Sequence, residues 1–82
     1  MKNHSASEII FETRTAAEET LDKLKDILET YGSTSLADLY DLVDIESDYT
    51  YNGYGWFNLD SARVEINKYG YIINVENPIK FK

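Results

Sequence analysis

A single small α+β domain, ordered strand, helix, helix, loop and β-hairpin, is what this 82-residue chain predicts. Three observations predict it. Apolar residues recur at alternating spacings of four and three through Ala17, Leu21, Leu24, Leu28 and Tyr31, the period of a helix with one buried face. Two runs near the C-terminus, Ala62 to Asn67 and Tyr71 to Val75, alternate apolar and polar residues about a turn. The helical and strand patterns are segregated along the chain, which suits a helix pair covered on one side by a small antiparallel sheet.

Residues 1–7 are polar and read as a flexible N-terminal tail, with the domain spanning 8–82. Ile9-Ile10-Phe11 is β-branched and aromatic and reads as a short strand over Glu8 to Glu12; the alternative is a helix opened by a capping box at Ser5-x-x-Glu8. The first helix follows Thr13, with Thr15 and Glu18 as its capping box, Ile27 widening the apolar stripe and Gly32 closing it in the left-handed region. Ser33-Thr34-Ser35 reads as a turn, and Ser35 with Asp38 caps a second, antiparallel helix carrying Leu36, Leu39, Tyr40 and Val43.

Asp44 to Asn58 holds neither period and reads as a loop, with Asn52-Gly53 and Gly55 supplying positive φ. Asn67-Lys68-Tyr69-Gly70 is the hairpin turn, and Pro78 reads as a strand stop. With a helical turn at Leu59-Asp60-Ser61, the order would also be winged-helix-like, the hairpin being the wing.

The charge is uneven. Eight basic and fifteen acidic residues leave −7, and between Lys25 and Arg63 there is no basic residue at all. That window holds Asp26, Glu29, Asp38, Asp41, Asp44, Glu46, Asp48 and Asp60, a negative field that argues against tracking phosphates or anionic membranes. No apolar run approaches the roughly 20 residues of a membrane span, and no cysteine is present for disulfides or thiolate chemistry, so the chain reads as cytoplasmic.

Catalytic and metal signatures are weak. Asp44-x-Glu46-x-Asp48-x-Thr50-x-Asn52 begins like a calcium loop, but Tyr49 and Gly55 stand where an EF-hand needs its turn glycine and bidentate glutamate. The single histidine, His4, lies in the polar tail without a neighbouring nucleophile. These residues predict no enzyme, no metal and no cofactor. Tyr31, Tyr40, Tyr49, Tyr51, Tyr54, Trp56 and Phe57 interleave with the acids and are of the types that anchor protein interfaces. Trp56 and Phe57 can instead close the core over the helix pair, and for Tyr49, Tyr51 and Tyr54 core and interface stand level.

Ile9 to Arg14, Ala37-Asp38-Leu39-Tyr40-Asp41-Leu42-Val43, Tyr49-Thr50, Tyr54-Gly55-Trp56 and Gly70-Tyr71-Ile72-Ile73 together resemble a family of small uncharacterised proteins from bacteriophages and mobile elements. The resemblance runs from Ile9 to Pro78 and implies a source, since no activity is established for that family. Relatives in it often carry Gly where Asp44 stands, Asp and Lys where Tyr51 and Gly53 stand, and Thr where Phe57 stands.

The function these residues predict is that of a small acidic protein-binding module that occupies a basic surface on a host protein handling nucleic acid, as an anti-CRISPR, anti-restriction or DNA-mimic inhibitor does. The contacts would be Asp38, Asp41, Asp44, Glu46, Asp48, Tyr49, Tyr51 and Tyr54. The alternative is a phage regulatory or assembly module that dimerises or docks through its hairpin.

Overall fold

Thr13 is the last extended residue before the first helix, at φ −132° and ψ 154°, and its hydroxyl accepts from the Ala16 amide at 3.1 Å. It therefore caps α1 (Arg14–Tyr31), and Thr15, the expected cap, lies two residues further on, inside the first turn. The computed structural model describes residues 9–46 and 49–81; the predicted tail, Ser47 and Asp48 lie outside the described residues. Ala17, Thr20, Leu21 and Leu24 form the buried stripe of α1, and Gly32 ends it at φ 84° with its amide donating to the Leu28 carbonyl at 2.7 Å. Tyr31, predicted to continue the stripe, is instead exposed, because the chain reverses at Gly32 and the core ends with Leu28.

The predicted turn at Ser33 to Ser35 proves to contain β1 (Thr34–Ser35), which leads directly into α2 (Leu36–Leu42). The predicted loop is likewise structured in its second half, as a 3-10 helix over Tyr49–Gly53 followed by β2 (Tyr54–Trp56). The hairpin consists of β3 (Arg63–Asn67) and β4 (Gly70–Asn74), and the chain finishes in β5 (Ile79–Lys80). Pro78 thus precedes a strand instead of stopping one, a position where its missing N–H costs the ladder nothing.

Two antiparallel sheets result among the described residues. One has the order β1-β2-β5, with Thr34 opposite Trp56, Ser35 opposite Gly55, and Gly55 opposite Ile79. Gly55 is required for space and not for the positive φ expected of it: a Cβ there would lie 2.1 Å from the Thr34 carbonyl oxygen and 2.6 Å from the Phe81 ring. The other sheet is the β3-β4 hairpin, with Asn67 paired to Gly70 across a turn whose Tyr69 and Gly70 amides both donate to the Asn67 side chain. The predicted strand at Glu8 to Glu12 reduces, among the described residues, to one antiparallel bridge, in which Phe11 and Tyr71 exchange amide–carbonyl bonds of 2.8 and 2.9 Å.

Leu24, Leu36, Leu39, Trp56 and Ile73 make the fully buried centre, ringed by Ile9, Phe11, Leu21, Tyr40 and Leu59. Trp56 is core: its indole N–H donates to the Glu76 carbonyl at 2.8 Å, so the buried ring carries a satisfied donor. Phe57, expected to cover the helix pair, faces outward against Phe81, with ring centroids 5.2 Å apart. Leu59 to Ser61 forms a turn and not a helix, and the hairpin is tied to Phe11 and packs on α1 instead of projecting as a wing.

Candidate functional site

The predicted contact residues centre on α2, and the two ends of that helix use their carboxylates differently. At the start, the Ser35 hydroxyl accepts from the Asp38 amide at 3.0 Å, while Asp38 Oδ2 accepts from the Ser35 amide at 3.0 Å and from the Thr34 hydroxyl at 3.2 Å. This is a reciprocal capping box with a third bond added, and it places a negative charge at the positive end of the helix. Asp38 is half-buried and committed to the fold.

At the other end, the Asp44 amide donates to the Asp41 carbonyl at 3.2 Å and the Ile45 amide to the Tyr40 carbonyl at 3.0 Å. Those two bonds are the Schellman arrangement, which puts Asp44 at the left-handed position that glycine usually fills. Asp44 is the one non-glycine residue at positive φ, 61°, among the described residues. Side chains of L-residues are strained there, aspartate less than most. Asp41, Asp44 and Glu46 are all exposed, and none has a side-chain hydrogen bond or ion pair among the described residues. The last turn of α2 contains no basic residue, so these carboxylates face the negative end of the helix dipole uncompensated.

The ion pairs among the described residues lie elsewhere. Arg14 meets Glu18 on α1 at 3.5 Å, and Arg63 Nε donates to Glu65 at 2.6 Å on the hairpin. The Arg63 hydrogen bond, assisted by one from Asn74, holds Glu65 below the ordinary glutamate range.

Of the predicted tyrosines, Tyr51 is half-buried and stands edge-on to Tyr40, with ring centroids 5.0 Å apart and planes at 81°. Tyr54 is half-buried in the central strand. Tyr49 opens the 3-10 helix, and Asp48 lies outside the described residues. The fold thus gathers Asp41, Asp44 and Glu46 at one helix end, sets Asp38 apart at the other, and uses Tyr51 partly to pack α2. The special role of Asp44 escaped sequence reasoning; the available signal was the lack of Gly or Asn after Val43, where a helix needs a left-handed residue.

No group of three or more His, Cys, Asp or Glu side chains is placed to hold a metal ion among the described residues, and no helix there is long and apolar enough to cross a membrane. No family model, no curated protein and no solved structure matches the chain.

Proposed function

We infer that this protein is an acidic binding module, which presents the C-terminal end of α2 to a basic surface of another protein. The observation that supports this most is Asp44. The helix dipole disfavours a carboxylate there, by roughly 0.3–1 kcal/mol, and the left-handed backbone disfavours any residue with a Cβ, so glycine would serve the fold better. A charge kept where it weakens the fold, beside Asp41 and Glu46, which are likewise unpaired among the described residues, is explained by a partner that supplies the missing cations.

The partner class is a nucleic-acid-handling protein of a bacterial host, whose basic groove an acidic helix end can occupy in place of phosphates; the inhibitor acts by occlusion. The resemblance to small phage and mobile-element proteins supports that setting and the cytoplasm as its place. The test is capture from a bacterial lysate with the intact chain and with the Asp41→Asn, Asp44→Asn, Glu46→Gln variant, at low and high salt. The expected result is a nucleic-acid-binding protein held by the intact chain at about 0.05 M salt, released near 1 M where the Debye length falls to about 3 Å, and not held by the variant. Equal retention by both proteins at both salt concentrations overturns the reading.

The second reading, docking through the hairpin, draws on Ile66 and Tyr69, which are 65% and 71% exposed near its tip. It predicts binding that is indifferent to salt and lost on Ile66→Ser with Tyr69→Ser.

A further inference from the structure

Next to the acidic end of α2 runs a groove of about 400 Å3, formed where residues 9–12 and the start of α1 face Leu42, Val43 and Ile45. Among the described residues, all of its lining side chains except Glu12 and Thr20 are apolar. Of its two polar side chains, the Thr20 hydroxyl already donates to the Ala16 carbonyl at 2.9 Å. Ile10 and Ile45 are left 42% and 43% exposed, an apolar area that a partner could remove from water. Among the described residues, no basic residue lines the groove. Glu12 does, and Asp44 and Glu46 are the chain neighbours of Ile45; all three are exposed.

We propose that this groove is the docking site for a short basic amphipathic segment of the partner protein. One or two large apolar side chains of that segment seat between Ile10 and Ile45, and flanking Lys or Arg side chains meet Glu12, Asp44 and Glu46. The proposal rests on the acidic-surface reading and adds what that reading lacks, an apolar anchor that desolvates the contact and gives it specificity beyond charge. Charge complementarity selects the occupant. A second copy of the chain, with net charge −7, would set two acidic rims against each other across a two-fold axis, and an anionic lipid surface would be repelled in the same way. The volume lies low in the roughly 300–1,000 Å3 range of ligand pockets and suits one or two side chains.

The probe is a synthetic helical peptide of Leu and Lys, with a control peptide of equal charge in which every Leu is Ser. Each is titrated into the full, isotope-labelled chain at about 0.1 M salt. The Leu–Lys peptide is expected to move the amide signals of Ile10, Val43 and Ile45 and to bind at least about tenfold more tightly than the control. Ile45→Ser, and separately Ile10→Ser, should reduce that preference to near parity while the other amide signals stay in place. Both positions are partly exposed, so at least one variant keeps the fold.

Equal binding of the two peptides, abolished by Asp44→Asn with Glu46→Gln, overturns the groove and leaves the acidic surface standing. Binding of neither peptide overturns the groove and counts against electrostatic capture as well. The same signals moving with protein concentration alone would assign the face to a second copy and overturn the proposal.

Discussion

The two ends of α2, a helix seven residues long, hold the same side-chain chemistry under opposite conditions. At the N-terminal end Asp38 sits where the helix dipole is positive, accepts two hydrogen bonds and closes a capping box. At the C-terminal end Asp41, Asp44 and Glu46 sit where the dipole is negative, without side-chain partners among the described residues, and Asp44 adds a left-handed backbone. A carboxylate that stabilises a fold and one kept despite it therefore differ by position and not by type. Only the second kind leaves binding capacity to give to a partner.

The largest expected effect comes from removing the platform on which this contrast stands. Gly55→Ala places a methyl group 2.1 Å from the Thr34 carbonyl oxygen, with backbone on one side and the Phe81 ring on another, so β1 must separate from β2 and the start of α2 loses its anchor. Overpacking of this kind costs about 1–3 kcal/mol or more, comparable to the net stability of so small a domain; thermal unfolding followed by circular dichroism should show the native transition lost or lowered by more than about 10 °C.

Next in size is the anchored end itself. Ser35→Ala removes the hydroxyl that accepts from the Asp38 amide and should cost about 1 kcal/mol in urea unfolding, with a lower midpoint and an unchanged slope. Peptide affinity measured well below the unfolding midpoint should not change. An affinity loss as large as that of the acidic-end variants would break the comparison.

Asp44→Gly should act in the opposite sense on the two properties. Relief of the left-handed strain and of the adverse dipole contact is expected to stabilise the domain by about 0.5–1 kcal/mol, while binding of the Leu–Lys peptide weakens several-fold. A destabilised variant would show that the Asp44 carboxylate serves the fold after all.

The smallest effect concerns Glu65, an exposed carboxylate that does have a cation. Its folded pKa is depressed by the Arg63 hydrogen bond, so the stability it contributes is present above the unfolded pKa and fades as pH falls through the lower, folded value. A carboxyl-carbon titration should find the Glu65 midpoint below the ordinary glutamate range, and Arg63→Gln should raise it. An unaltered midpoint would mean that the 2.6 Å contact does not persist in solution.

Much of this fold was legible in the sequence where a periodic signal spans enough residues. The stripe of α1, the Ser35–Asp38 capping box and the β3-β4 register all follow from patterns local to one element. The three-stranded sheet was not legible, because β1 and β5 are two residues each and β2 is Tyr-Gly-Trp, too short for alternation and interrupted by glycine. Its strands are defined by partners twenty or more residues away, as is the burial of Trp56 under the Glu76 carbonyl. The acids were visible as a run without bases, yet their division between the two ends of α2 depends on hydrogen bonds that composition does not encode. Ile10 falls in the predicted short strand and Ile45 in the predicted loop, so neither marks a groove until residues 9–12 and the end of α2 are brought together.

The β5 strand has a consequence for how the domain comes to be made. Ile79 pairs with Gly55, and the Phe81 amide donates to the Gly53 carbonyl at 2.7 Å, so the middle strand of the sheet gains its second neighbour only from residues near position 80. During synthesis β2 is therefore held open on one side until those residues clear the ribosome, after both helices and the hairpin have emerged. A polypeptide stopped at Pro78 would carry nearly all of the core and still expose an unpaired strand edge, an invitation to aggregation. Completion of the domain is thus timed by its final strand.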